Sequence, residues 1–432
     1  MHLSSPRDLI MQMEDARART HALIEGLDDA QLMGPRLPTV NPLRWEIGHA
    51  AYFHEYWVLR EHLGEAAGRP DVDRLFDSIH IAHDTRWDLP LPSLRETFAY
   101  MDGVLNRVRE HLEHDGPDPE RDYLAQYAVF HEDMHTEAFT YTRQTLGYPA
   151  PGIGLARDPA WDADLFPGDV DIPGGEFRLG AEPGSGFVFD NEKWAYPIDV
   201  QPFRIARTAV SNADFAAFVE DGGYRRESFW DREGWAWRRA CGLEHPVYWR
   251  RGAEGWERRR FDRWEPLAPD AAILHVNWYE ARAWCRWADR RLPTELEWEV
   301  AAAGEPTADG TSLAPTKRRY PWGDAPPDPS RANLDGGALG TIDVGALPAG
   351  DSAFGCRQMI GNAWEWTDTV FGPYPDFTPD MYADYSQPLF GETRVLRGGG
   401  WATRSRLIRN TWRNYYGPDR NDVFAGFRTC AP

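Results

Sequence analysis

The run His131-Glu132-Asp133-Met134-His135 places two imidazoles and a carboxylate at spacings that do chemistry. On a helix, residues four apart share a face, so His131 and His135 can grip one metal ion. The same run spells H-E-x-x-H, in which the intervening Glu132 would be the general base of a zinc hydrolase. A third imidazole, His49, lies in Trp45-Glu46-Ile47-Gly48-His49, on an earlier segment that also reads as helical. Three neutral imidazoles with open coordination positions would equally suit a redox metal that activates oxygen. The residues alone leave both chemistries standing.

Positioning these side chains falls to the first 147 residues or so, where apolar residues recur at helical spacing. Ser5-Pro6 opens a helix carrying Leu9, Ile10, Met13, Ala16, Ala22 and Leu23. Further helices are expected over 43–63, 93–112 and 122–146, the last stopped by Gly147 and Pro149. Four helices of this length predict an antiparallel bundle over 1–150. His49 then sits on the second helix and His131 and His135 on the fourth, able to meet in the core. A Pro-, Gly- and Asp-rich stretch, 151–170, reads as a linker. From 171 to 432 come short β-type runs (176–179, 204–206), many turns and two clear helices, 211–219 and 278–288. That half is α+β, with much irregular structure. Its Trp-rich segment 230–265 reads as scaffold.

Composition excludes several partners. The 432 residues carry 47 Lys plus Arg against 68 Asp plus Glu, a net charge of −21. Such a surface repels phosphate backbones and anionic lipid, which argues against nucleic acid and membrane partners. No apolar run spans a bilayer and the N-terminus lacks a signal-peptide core, so a cytoplasmic location is expected. Cys241, Cys285, Cys356 and Cys430 are scattered without a CxxC pair, as reduced, mostly buried thiols would be.

The second half carries a series of ordered motifs. They are Ile172-Pro173-Gly174-Gly175-Glu176-Phe177, Val210-Ser211-Asn212 with Phe215 and Phe218, and Arg291-Leu292-Pro293-Thr294-Glu295-Leu296-Glu297-Trp298-Glu299. Tyr320-Pro321-Trp322-Gly323, Gly361-Asn362-Ala363-Trp364-Glu365-Trp366-Thr367, Arg397-Gly398-Gly399-Gly400-Trp401 and Gly426-Phe427-Arg428 follow. They resemble the formylglycine-generating-enzyme type of domain, a variant of the C-type-lectin fold. The Cys pair that binds copper after the RGG motif in those enzymes is missing from 401–408, which argues against sulfatase maturation.

A DinB-like four-helix bundle carrying one early His and a late HxxxH, joined to this domain, resembles the hercynine oxygenases, the sulfoxide synthases of ergothioneine biosynthesis and their relatives. The resemblance covers nearly the whole chain. It implies mononuclear non-heme Fe(II) held by His49, His131 and His135, and O2 as co-substrate. The reaction it implies joins a chalcogen donor to the imidazole C2 of hercynine. The family's Tyr-x-x-Tyr-Ser segment matches Tyr382-Ala383-Asp384-Tyr385-Ser386. Tyr382 is thereby the implied proton donor and Tyr385 a phenol near the imidazole. Asn414 would bind the hercynine carboxylate, and Tyr415 and Tyr416 would flank its trimethylammonium. The resemblance also allows a structural Ca2+, with Asn333 and Asn362 in the scaffold motifs.

Three departures concern the substrates. Relatives that use γ-glutamylcysteine have an Arg-rich loop before the third helix, whereas 80–90 here has a single Arg, Arg86, beside Asp84 and Trp87. One guanidinium holds one carboxylate well, and a donor with two needs more. Met134 stands where relatives often have Gln, and Tyr416 where Asp is common. Asp84, Arg86 and Trp87 together look more like a pocket for a sugar. The pattern is most like selenoneine synthase, with 1-seleno-glucose as donor. The alternatives are a sulfoxide synthase using γ-glutamylcysteine or cysteine, a zinc hydrolase using Glu132, and a binding protein without catalysis.

Overall fold

Helix starts in the first half follow from their caps. In the computed structural model, which describes residues 4–154, 161, 163 and 166–432, Ser5 caps α1 (Pro6–Ile24) by accepting from the Asp8 N–H. The buried face of α1 carries Leu9, Met13, Ala16 and Leu23. Helix α2 (Leu43–His54) is buried at every position from Trp45 onward. A helix without a solvent face belongs in the middle of a bundle. Ser93 and Glu96 form a capping box at the start of α3 (Leu94–His114). Asp118 and Pro119 start α4 (Pro119–Leu146), three residues before the expected 122, because Asp118 accepts from two backbone N–H groups. Gly147, in the left-handed region, ends it. Helix α1 packs on α4, and α2 packs on both α3 and α4.

The expected helix 43–63 is α-helical only to His54 and continues as a π-helix, Glu55–His62. Buried Glu55 stands at this change, accepting from Tyr100 Oη at 2.8 Å, the Gly68 N–H at 2.6 Å and Arg107 Nη1 at 3.1 Å. π-helical turns are uncommon and often mark functional segments. Single-turn helices at Asp29–Met33 and Val72–Phe76 and a 3-10 turn at His83–Asp88 complete this unit.

The chain divides into two units, Met1–Ile153 with Gly184–Phe187, and Gly154–Pro183 with Val188–Pro432. Of the linker expected at 151–170, residues 155–160, 162 and 164–165 lie outside those described. Trp161 within it is buried against Ile342, Ala346 and Leu347, and so belongs to the second unit's core. No helix among the described residues is long and apolar enough to cross a membrane.

The second unit contains helices α5 (Asn212–Glu220), α6 (Arg232–Cys241), α7 (Trp278–Trp287) and α8 (Glu295–Ala303). Two of these, α6 and α8, were not among the expected helices. Helix α6 is rich in Arg and Trp with only Gly234 buried, so it shows no apolar stripe. The segment after it folds as an antiparallel meander, Trp249–Arg251, Trp256–Arg260 and Arg263–Pro266. A four-stranded sheet has the spatial order Asn414–Tyr416, Arg394–Arg397, Trp364–Val370, Ala425–Gly426, the last pair parallel.

The motifs of this half meet as buried ion pairs around that sheet. Arg397 donates to Glu295 at 2.8 Å and also bonds Glu299, while Arg413 binds both oxygens of Glu295 at 2.7 and 3.0 Å. Arg428 grips Glu365 through two bonds of 2.6 and 2.8 Å, and Trp298 Nε1 donates to Glu365 at 2.7 Å. Gly398 is required beside Arg397, because its φ is +95° and a Cβ there would lie 2.5 Å from the Met359 carbonyl. Removing one partner of such a pair leaves an uncompensated buried charge. Arg428→Met, which removes the cation paired with buried Glu365, is therefore expected to destabilise the protein by about 3–5 kcal/mol, measured by denaturant unfolding.

Candidate metal centre

The three histidines meet. Their ligating nitrogens all lie within 4.8 Å of one another, with His49 and His131 buried and His135 half-buried. His131 Nε2 and His135 Nε2 are 3.3 Å apart. Two nitrogens bound at right angles to one divalent ion, each ~2.1 Å from it, stand ~3 Å apart. Burial is the largest cause holding the His49 and His131 pKa values well below the usual imidazole value, with the neighbouring His135 second for both. Both are therefore neutral and ready to ligate.

Each ring is held by its surroundings. His49 Nδ1 donates to the Phe76 carbonyl at 2.8 Å, which leaves Nε2 as its ligating atom. Its ring stacks on Trp45 at 4.8 Å, and Trp45 Nε1 in turn donates to the Leu75 carbonyl at 2.7 Å. His131 stacks on Phe53 at 3.9 Å. His135 Nδ1 donates to Glu46 Oε1 at 3.2 Å, leaving its Nε2 for the metal. Glu46, three residues before His49 on α2, is only 2 % exposed. The donor set of three imidazoles, two with the distal nitrogen already donating, fits a divalent metal with positions left for substrates.

Glu132 does not face this chemistry. Its carboxylate accepts from Thr20 Oγ1 at 3.0 Å and Arg17 Nε at 3.3 Å, and lies 3.4 Å from His54 Nε2. Burial opposes its ionisation, yet Arg17 and His54 hold its pKa at about 2. A carboxylate so engaged ties α4 to α1 and α2 and is not placed to deprotonate a metal-bound water. The zinc-hydrolase reading of H-E-x-x-H loses its base.

The other expected site residues fall in two places. Met134, half-buried, lies on α4 between His131 and His135, and Asp84, Arg86 and Trp87 lie on the 3-10 turn of the same unit. Asp84 is exposed; Trp87 Nε1 donates to the Met33 and Gly34 carbonyls at 3.1 and 3.2 Å. Arg86 lies over the Trp45 ring at 3.8 Å and donates to Asn41 Oδ1 at 2.7 Å. In the second unit, Tyr382 precedes the turn Ala383–Tyr385, and Tyr415 Oη donates to the Tyr385 carbonyl. Burial raises the pKa of both Tyr385 and Tyr415, so both phenols stay protonated at neutral pH. Tyr415 stacks on Phe371 at 4.0 Å, and Arg420 lies over Tyr416 at 5.1 Å. Asn414 Oδ1 accepts from the Tyr415 N–H at 2.8 Å, which leaves the amide NH2 as its donor end.

Sequence reasoning passed over Glu46, Asn41 and Trp45, although Glu46 and Trp45 precede His49 by three and four residues, on its helical face. It also passed over Asp190 and Asn191, which bond Ser386 Oγ at 2.6 and 3.0 Å next to Tyr385. The Ca2+ suggestion gains no ligands here. Asn362 Oδ1 accepts from Asn333 Nδ2 at 3.0 Å and the Ile342 N–H at 2.9 Å, so the pair braces its own loop. Of the four cysteines Cys241 is exposed, the others are buried, and none is in a disulfide.

A bundle with a triad of imidazoles able to hold a metal, followed by an α+β domain knitted by Arg–Glu pairs, defines a two-domain protein with a candidate metal centre. Residues 12–139 match the DinB superfamily and residues 157–431 the sulfatase-modifying factor enzyme 1-like domain. The chain is 39% identical over 430 residues to a hercynine oxygenase of Mycolicibacterium thermoresistibile, covering 98% of this chain and 94% of that one. It is 37% identical to a hercynine oxygenase of Mycobacterium tuberculosis, covering 99% of each. A formylglycine-generating enzyme of Streptomyces coelicolor is 33% identical over 66% of this chain and 95% of its own. The chain belongs to the hercynine oxygenase family, and it is an oxygenase.

Two substitutions test the centre. The unsubstituted protein is expected to bind one equivalent of Fe(II) or Co(II) in anaerobic titration, and His131→Ala to abolish that binding. Gly48→Ala drives a Cβ to 2.1 Å from the Phe76 ring, and Phe76 carries the carbonyl that orients His49. It should weaken metal binding about 10- to 100-fold, the usual effect of losing a ligand's outer partner.

Proposed function

We propose that the protein uses Fe(II) and O2 to join a chalcogen donor to the imidazole of hercynine. The observation that carries this reading is the triad of imidazoles, a set that suits oxygen chemistry, with Glu132, the base an HExxH hydrolase would use, locked away from it. His49, His131 and His135 would hold the iron. Bound there, iron would supply oxygen activation and a common anchorage for the substrates.

The chain's own residues would do the rest. Tyr382 would donate its phenolic proton to oxygen as it is reduced, steering the reaction toward bond formation and away from simple oxidation of the donor. Tyr385, kept neutral by burial, would donate a hydrogen bond near the imidazole. Asn414 would offer its amide NH2 to the hercynine carboxylate. Tyr415 and Tyr416 would flank the trimethylammonium, and Met134 would contact the imidazole from α4.

In the first reading the donor is a thiol, γ-glutamylcysteine or cysteine, and the similarity to hercynine oxygenases supports it. A second reading, C–Se bond formation with 1-seleno-glucose toward selenoneine, is favoured by one observation. The single Arg of the 80–90 loop is engaged with Trp45 and Asn41, so no pair of guanidinium groups there awaits a two-carboxylate donor. Mass spectrometry of one aerobic reaction, offering Fe(II)-loaded protein and hercynine all three donors in competition, separates the readings. A sulfur adduct supports the thiol donor, a selenium adduct the sugar, and no adduct from any donor overturns the proposal. Tyr382→Phe should lower adduct formation by about 10²–10⁴-fold, the usual contribution of a positioned general acid. Donor oxidation should continue.

A further inference from the structure

We propose that Arg86 is a positioning residue of the metal centre, holding the orientation of two of its three imidazoles; this rests on the metal-binding reading above. Two separate chains of contacts start at its guanidinium. One passes through hydrogen bonds. Arg86 Nη1 donates to Asn41 Oδ1 at 2.7 Å, Asn41 Nδ2 donates to Glu46 Oε1 at 3.2 Å, and that same oxygen accepts from His135 Nδ1 at 3.2 Å. The other passes through stacked planes. The guanidinium lies 3.8 Å from the Trp45 ring centroid, and Trp45 is stacked on His49 at 4.8 Å with 8° between the planes.

The chemistry explains why such a residue is needed. Three neutral imidazoles bring no charge to a divalent ion, so a buried centre needs a carboxylate nearby. Glu46 is that carboxylate, almost fully buried and bonded to a ligand imidazole. Among the described residues no Arg or Lys lies within ion-pair distance of it; its one such neighbour is the His135 ring. Its Oε2 has no hydrogen-bond partner, and Glu132 rather than Glu46 pairs with Arg17. Arg86, relayed by Asn41, is the cation that orients it. Asn41 is suited to the relay because its amide accepts at one end and donates at the other.

The planar fork matters as much as the charge. Arg can stack on an indole while donating in its own plane, whereas Lys can do only one of these well. Arg86 is thereby assigned to the architecture of the centre, and donor recognition is left to other groups.

The test is anaerobic competition of Fe(II) between the protein and a chromophoric chelator, with electron paramagnetic resonance of the nitric oxide adduct. Arg86→Ala should weaken Fe(II) binding about 10- to 100-fold and change the rhombicity of the adduct signal. Arg86→Lys should recover part of the affinity without restoring the signal shape. In a Glu46→Gln background, the loss on adding Arg86→Ala should shrink, because residues acting through one network are not additive. Far-ultraviolet circular dichroism and thermal unfolding of each metal-free variant report whether it folds. If Arg86→Ala unfolds, the lysine variant and its Glu46→Gln double decide the question. Wild-type affinity and an unchanged signal in folded Arg86 variants would overturn the proposal. Full additivity with Glu46→Gln would overturn the hydrogen-bonded route. Absence of stoichiometric iron in the wild-type protein would instead overturn the metal reading on which the proposal stands.

Discussion

The structure depends on one constraint, that three imidazoles must converge in a bundle core without any of them being free to turn. Burial keeps His49 and His131 neutral, which suits ligation but also removes charge as a means of holding them. Orientation therefore comes from contacts on the far side of each ring: the Phe76 carbonyl and Trp45 for His49, Phe53 for His131, Glu46 for His135. Gly48 then follows, because only a residue without a Cβ lets the Phe76 ring lie against α2. The burial of α2 from Trp45 onward follows too, since it carries one of the three imidazoles and an outer partner of each.

The second unit solves a different problem with related means. Its sheet is small and its loops long, and its recurrent motifs supply buried Arg and Glu side chains that hold distant segments together. Arg397 and Arg413 share Glu295, and Arg428 takes Glu365. These pairs account for the motifs as scaffold. One fold can then host several chemistries, as the match to both hercynine oxygenases and a formylglycine-generating enzyme illustrates. Tyr385, on a short turn, and Tyr382, just before it, are the phenols the proposed function uses, and both stand outside the regular sheet.

Much of this was legible in the residues. The HxxxH spacing and the early His pointed to the three histidines that the fold brings together, because helical periodicity makes residues four apart neighbours. The caps at Ser5, Ser93 and Gly147 set the helix ends, and the ordered motifs marked the second fold. The rest depended on contacts between segments far apart in the chain. Glu132 read as a base until Arg17 and Thr20, more than a hundred residues earlier, were seen to bind it. Arg86 read as a ligand-binding group because nothing in its own loop shows that Trp45 lies beneath it. The π-helical stretch at Glu55–His62 was invisible because its apolar spacing continues that of α2. Helix α6 was missed because its exposed, Arg- and Trp-rich sequence has no core face.

The central claim is that one iron is held by three imidazoles and by no carboxylate of the chain. Iron K-edge X-ray absorption of the Fe(II)-loaded protein reads the inner ligands directly. The account predicts one iron per chain with the multiple-scattering signature of three imidazoles, reduced to two in the His135→Ala variant if that variant retains iron. A wild-type spectrum with two imidazoles and a carboxylate would contradict it, since Glu46 or Glu132 would then be a ligand and the orientation argument built on their hydrogen bonds would fail.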